Sequence, residues 1–351
     1  MSLRNKGLLY CGVQPCDTIN QPNSFKKAQV TMKSLSLCFV LSLLVSIEGV
    51  GQNQTNDVAL NINKIPFHSI KIHGDGNYII QYHPIAAITM DARVRNFVEL
   101  NHQDGTLAIR LKDNIPQPLL KHKAILLELP DLQKLEIIGD GDVRLQECLG
   151  KSSLTMHKFG NGDLIGKVIA EVLLVGINGE GIHDLSIHAK EARLVQKGVS
   201  EVTMKTEGGY TIIEKYGTGR LQLNSKVEKV QVIVQDEGTI DLDLEAKEAG
   251  LRLANEANLS GKMKAMELTL NKSKEGDVQL SGEVEQMNLQ VSGEGHVNLE
   301  GLKVNHCLLH KKGSGNLKMY ILQTLSMEIK GKGSVHYLGN PQVSKLLVHQ
   351  E

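Results

Sequence analysis

Four glutamates recur at intervals of 19 residues: Glu237, Glu256, Glu275 and Glu294. In a chain stacked with that period their carboxylates would form a column about 5 Å apart. Neighbouring charges at that distance repel by about 3 kcal/mol at an effective dielectric near 20, and by less when solvated. The column can therefore splay into water, or it can gather Ca²⁺, which takes oxygen ligands from several carboxylates. The period is unrelated to the nine-residue calcium-binding repeat, so the solvated column is the favoured reading and the metal site the weak one.

A second grouping, His183, Asp184 and His188 with Glu180 nearby, has metal-ligand residue types. Strand positions five apart face opposite sides, so the two histidines do not converge without a turn between them. Polar residues around an outward turn are the simpler account. No nucleophile, base and acid stand together elsewhere. Parallel β-helices do include polysaccharide lyases and hydrolases, whose sites need acids, bases or metal carboxylates in a cleft walled by loops. The repeat described below leaves no room for such loops. With no Trp and 3% aromatic residues, platforms for sugar rings are also scarce. A hexapeptide acyltransferase would need an 18-residue coil with strict six-residue periodicity, which is absent. No catalytic or cofactor-binding residue is assigned, no cofactor is expected, and the protein reads as a non-enzyme.

The glutamates belong to a larger pattern. A small residue recurs at Gly141, Gly162, Gly181, Ser200, Gly219, Gly238, Ala257, Gly276, Gly295, Gly315 and Gly333, here called the marker of each repeat. The intervals are 21, then 19 seven times, then 20 and 18. Seven repeats carry a Gly-x-Gly turn: Gly139 with Gly141, Gly160 with Gly162, Gly179 with Gly181, Gly217 with Gly219, Gly293 with Gly295, Gly313 with Gly315, and Gly331 with Gly333. A tight reversal needs the left-handed region that glycine tolerates. Asp236 and Asn255, which replace the first glycine in two repeats, tolerate it next best. Lys274, the third replacement, has no such rationale.

Six residues before the marker the column is apolar throughout, from Leu135 to Met327; two after it, only His183 interrupts a run from Val143 to Val335. Alternation on both sides of the turn predicts two short strands per repeat, each with one inward face. A fixed short period of this kind is the signature of a solenoid. The expected fold is all-β: a single-stranded parallel β-helix of about eleven 19-residue coils, roughly 50 Å long, with Gly-x-Gly tight turns. A 38-residue coil pairing two repeats stays open. The column four before the marker is mixed, with Ile137, Ile177, Val234 and others against Lys158, Gln196, Lys215, Lys272 and Lys311. These lysines are expected at the core margin with their ammonium groups in water.

Along the chain, residues 1–31 are polar and patternless and read as an over-called N-terminus before Met32. Residues 32–51 hold one lysine, an apolar run of 13 from Leu35 to Ile47 and a small-residue exit, the layout of a secretory signal peptide. The run is short for a transmembrane helix, so no membrane anchor is expected after cleavage; a membrane-anchored protein is the alternative. From Gln52 on there are 34 Lys and Arg against 37 Asp and Glu, a balance of −3 that gives no case for nucleic acid. Cys148 and Cys307 lie eight coils apart, roughly 38 Å, so no disulfide joins them and each reads as a small core residue. Residues 52–131 are β-rich but off the beat, with a stray Gly74-Asp75-Gly76, and read as irregular capping coils. Residues 132–341 carry the regular solenoid, and 342–351 a tail after Gly339-Asn340-Pro341.

Phe67-His68-Ser69-Ile70-Lys71-Ile72-His73-Gly74, Asp104-Gly105-Thr106-Leu107-Ala108-Ile109 and Leu129-Pro130-Asp131-Leu132, running into Leu135–Val143 and the glycine ladder, resemble the putative auto-transporter adhesin, head GIN domain family of exported Gram-negative proteins. The resemblance covers nearly all of 60–340. It implies a parallel β-helix with Gly-x-Gly between sheets and an adhesion role, and carries no catalytic residues. With no β-barrel translocator or sorting module read after the last repeat, a self-secreting mechanism is not expected. The expected function is adhesion or envelope binding through the solenoid faces, to an unidentified protein or glycan, in the periplasm, at the outer surface or outside the cell. The alternatives are an envelope-resident homo-oligomeric ligand-binding module and, behind it, a carbohydrate-active enzyme.

Overall fold

The structure, a computed structural model, describes residues 57–349. The expected signal peptide at 32–51 and the segment 1–31 lie outside the described residues. Among the described residues no helix is long and apolar enough to cross a membrane.

The chain enters through β1 (Asp57–Asn61), β2 (Ser69–His73), β3 (Tyr78–Tyr82) and β4 (Ala87–Asp91). Helix α1 (Ala92–Arg95) follows, opened by Asp91, whose carboxylate accepts from the Arg93 amide. Then come β5 (Val98–Gln103), β6 (Thr106–Leu111), α2 (Gln117–His122) and β7 (Ile125–Leu129). β8 (Lys134–Ile138) and β9 (Val143–Phe159) begin the regular stack. The Gly74-Asp75-Gly76 turn is not stray. β2 runs parallel to β8 with Ser69 opposite Lys134, and β3 runs parallel to β9 with Tyr78 opposite Val143. Residues 69–82 are thus a coil in phase with the ladder, separated from it in sequence by an insertion. That insertion closes this end of the stack: β6 and β7 pair with the outer edges of β2 and β3, while β1, β4 and β5 add antiparallel pairs. Ile88, Met90, Val94 and Leu107 cover the apolar cross-section from within it.

Nine further long strands follow: β10 (Leu164–Asn178), β11 (Gly181–Lys197), β12 (Ser200–Tyr216), β13 (Arg220–Gln235), β14 (Thr239–Leu253), β15 (Asn258–Lys272), β16 (Val278–Ser292), β17 (Val297–Lys312) and β18 (Leu317–Lys330). Every neighbouring pair is parallel, and Leu164 lies opposite His183, Val202 opposite Leu221 and Val278 opposite Val297. One coil is therefore 19 residues, which excludes the 38-residue path.

Each coil is one bent strand rather than the two short strands expected. In β13, Leu221, Leu223, Ser225 and Val227 point inward, Glu228 and Lys229 both point outward, and Val230, Val232 and Val234 point inward again. Those two outward residues mark a second corner, where Glu228 drops out of the ladder while pairing resumes at Lys229. The corner divides the solenoid into a first sheet after each glycine turn and a second sheet before the next one. Between them run continuous apolar columns such as Leu251, Leu270, Leu289 and Leu309, each almost wholly buried. Burying one leucine side chain contributes about 1.5–3 kcal/mol, and like residues stack on like along the whole axis.

The far end differs from the expected tail. After β19 (Val335–Leu338), residues Gln342–His349 form β20, which continues the second sheet parallel to β18, with Leu346 opposite Met327 and Val348 opposite Ile329.

Candidate functional site

The glycine turns are the most built part of the molecule, and their two glycines do different work. The first adopts the left-handed region: Gly293 has φ 94°. Its replacements Asp236, Asn255 and Lys274 hold the same conformation, with φ 79°, 61° and 66°, so Lys274 is a strained member of the ladder. The marker is set first by space, although Gly162, Gly181 and Gly219 also hold positive φ, 104°, 147° and 103°. Gly295 is not in that region, and a β-carbon on it would stand 2.2 Å from the Gly276 carbonyl oxygen of the coil before. Turns stacked this closely leave no room for a side chain.

The lysines four before the marker are not at the margin. Lys158, Lys215, Lys272 and Lys311 are each 2% exposed or less. Their ammonium groups turn into the glycine turns and donate to backbone carbonyls: Lys158 to Asn161 at 2.8 Å, Lys215 to Thr218 at 2.9 Å, Lys272 to Lys274 at 2.6 Å and Lys311 to Gly313 at 3.1 Å. The ammonium adds a donor to these turn carbonyls, two of which also accept turn amides of the next coil, Lys274 from Glu294 at 3.1 Å and Gly313 from Gly333 at 3.2 Å. Burial pushes the affinity of all four for a proton below the ordinary lysine value. No two occupy adjacent coils; apolar residues or Gln196 fill the column between them, which keeps the buried charges apart. Gln196 plays the same part, donating to the Ser200 carbonyl at 3.1 Å.

The rim of the first turns carries a second device. Asp75 accepts from the Asp140 amide at 2.9 Å, Asp140 from Asn161 at 2.8 Å, and Asn161 from Glu180 at 3.1 Å. On the other side of the marker Asn77, Asp142 and Asp163 pass hydrogen bonds from coil to coil in the same way. The alternation of Asp and Asn within GDGD and GNGD is the sequence signal for these ladders.

Glu237, Glu256, Glu275 and Glu294 stand on four consecutive coils, all exposed. The first three border a shallow depression shared with Asp236, Asn255 and Lys274. Among the described residues no group of three or more His, Cys, Asp or Glu side chains is placed to hold a metal ion. His183 does not meet Asp184, His188 or Glu180: it points into the core while they point out. Its Nδ1 accepts from the Leu164 amide at 3.2 Å and its Nε2 is buried without a partner. Burial, with the Lys158 charge adding to it, pushes its pKa down to about 4. Cys148 and Cys307 are buried free thiols, each pushed up to about 12 by loss of water.

The second corner carries a groove of about 830 Å³. One wall is a column of alternating sign, Lys226, Glu245, Lys264, Glu283 and Lys303, in register on five coils and continued beyond the groove by Glu207. Val227, Ala265 and Val284 form part of the floor, and Glu228, Lys247 and the exposed Met266 stand opposite. Lys226 pairs with Glu245 at 3.1 Å and Lys247 with Glu228 at 2.9 Å. Alternation removes the repulsion that identical stacked charges would suffer, and presents both signs along one axis. The sequence carries this column at the 19-residue beat from Glu207 to Glu283, with a last step of 20 to Lys303, one residue before the corner floor.

Residues 66–243 and 239–341 match the family described as putative auto-transporter adhesin, head GIN domain. A search of curated proteins found no match. Among solved structures, a putative adhesin from Parabacteroides distasonis shares 15% identity over 81% of this chain and 98% of its own, with TM-score 0.32. A putative adhesin from Bacteroides fragilis shares 13% over 81% and 97%, with TM-score 0.29. A protein described as a putative lipid binding protein, also from P. distasonis, shares 16% over 85% and 95%, with TM-score 0.23. The match spans the glycine-turn ladder and the coil at 69–82, and the chain belongs to the putative auto-transporter adhesin, head GIN domain family.

Proposed function

We propose that the protein is an exported, non-enzymatic, adhesin-like rod that binds a surface or envelope ligand, protein or glycan, along its outer faces. The observation that carries this reading is the second-corner groove, which runs across consecutive coils with paired charges on its walls and an apolar floor. A groove parallel to the axis suits an extended partner rather than a small enclosed substrate. Its charges sit on coils whose backbone is fixed by the ladder, so the recognition surface needs no ordering when a partner arrives. Family membership supports the adhesin-like assignment. Glycan-array and whole-cell binding with wild type and with Lys226→Glu/Lys264→Glu tests it. Binding that falls in the variant, with an unchanged melting curve, supports the reading; binding that is absent in wild type, or unaffected in the variant, contradicts it.

A further inference from the structure

The overall balance of −3 conceals a division along the rod. Residues 57–300 hold 27 Lys and Arg against 35 Asp and Glu, whereas residues 301–349 hold seven lysines against Glu328 alone, a local excess of +6. That one carboxylate is held by Lys330 at 2.9 Å and lies 3.5 Å from His310. Lys311 is buried in its glycine turn, and Lys318 lies 3.8 Å from Glu300. Lys312, Lys332 and Lys345 are exposed, and none of them is in an ion pair among the described residues. Lys345 lies on the outermost strand, Lys332 in the outermost glycine turn and Lys312 two strands in. All three therefore stand within about 10 Å of the end of the stack, close to one Debye length.

The same end lays open the apolar cross-section. Leu325, Met327 and Ile329, in the columns of the second sheet, are 8% exposed or less. Val343, Leu346 and Val348 continue those columns on β20 and are 40%, 54% and 44% exposed, because among the described residues no strand pairs with the outer edge of β20. Leu338 and Leu347 stand outward on the rim beside them, and both are exposed. The opposite end of the stack is closed by the insertion, as solenoid ends ordinarily are by atypical capping segments. An apolar edge ringed by unpaired cations is a different kind of surface.

We propose that this tip docks on an anionic lipid surface, its apolar edge entering the headgroup region while the lysines meet the lipid charges. Neither feature alone selects that occupant. A second copy would bring two ends of the same excess charge together, and a polyanionic glycan would neutralise the lysines but leave the apolar edge in water. An anionic bilayer answers both. The site goes beyond the binding function above, since Lys312, Lys332 and Lys345 do not line the second-corner groove.

Flotation of the purified full chain with vesicles of phosphatidylcholine alone, and of phosphatidylcholine and phosphatidylglycerol in equal parts, tests it. Wild type should bind the anionic vesicles at least about tenfold more tightly than the neutral ones, and should lose that preference as salt is raised. Lys312→Glu/Lys332→Glu/Lys345→Glu should abolish the preference, and Leu347→Ser should weaken binding to the anionic vesicles by about threefold. Lys167→Glu/Lys190→Glu/Lys205→Glu makes the same change in net charge at exposed positions on the body of the rod, and should leave the preference intact. All these proteins should keep the wild-type melting temperature. Any contribution from the apolar run at 35–47 is common to them and cancels in the comparison. Equal binding to neutral and anionic vesicles, a tip variant that keeps the preference, or a body variant that loses it as fully overturns the proposal. So does a wild type that ignores both vesicles and instead takes up dextran sulfate or associates with itself.

Discussion

The ammonium of Lys272 lies beneath Gly295 of the next coil, 2.5 Å from the point a β-carbon on that glycine would occupy. The lysine and the glycine are one device: the absent side chain makes the room into which the buried cation reaches. Gly295→Ala must displace the carbonyls of Glu275 and Gly276 as well as Lys272, and overpacking of this kind costs about 1–3 kcal/mol or more. Gly250→Ala is the control. Its nearest neighbour would be the Val230 carbonyl at 3.8 Å, and Gly→Ala at a compatible position stabilises by about 0.4–1 kcal/mol. Urea melts of both variants should move in opposite directions.

Lys272→Leu should be tolerated within about 1–2 kcal/mol, because Leu253 fills the same column one coil earlier and an apolar replacement of a buried charge is often near neutral. Lys272→Glu should cost far more, because it turns a carboxylate toward the carbonyl it replaces a donor for. Equal melting temperatures for the two variants would mean that the ammonium is not held in the turn.

Acid should weaken the protein partly through His183. Its folded pKa is about 4 and its ordinary value 6.5, so between those values the unfolded chain binds more protons and stability falls as pH falls. The full effect is on the order of 3 kcal/mol, complete below pH 4 and absent above 6.5. His183→Leu, matching Leu164 in the same column, should remove this part of the acid slope, at a cost at pH 7.5 of about 1–3 kcal/mol for the Leu164 amide left without its acceptor. Parallel pH–stability curves for the two proteins would contradict the buried neutral imidazole.

The exposed glutamate column should behave as solvated charge. Melting temperatures with EDTA and with millimolar calcium should coincide in wild type and in Glu256→Gln/Glu275→Gln. A rise with calcium that disappears in the double variant would instead establish a cation site, since a ligand that binds only the folded state raises its stability with concentration.

The coil period was legible because it depends on residue type alone: small markers and alternating apolar columns repeat whatever the details of the path. What the period does not reveal is where a polar residue in a mixed column points. Lys158 and Lys272 read as margin residues because a long cation ordinarily keeps its head in water. Only the stacked turns show carbonyls waiting inside. The Gly74–Gly76 turn was hidden by the long insertion that follows its coil, which breaks the period without breaking the stack.

The whole account rests on coils of 19 residues stacked one strand apart, and a distance measurement between spin labels tests that directly. Thr203 and Lys318 are both exposed, share a column in the register ladder and are six coils apart. Cys148 and Cys307 are buried, so with Cys11, Cys16 and Cys38 replaced by Ser, labels on Thr203→Cys/Lys318→Cys should report these two sites. Pulsed electron resonance should give a narrow distribution centred near roughly 29 Å, six steps of about 4.8 Å. A distance near half of that, as a 38-residue coil would give, or a broad distribution without a peak, would contradict the stack and everything built on its faces.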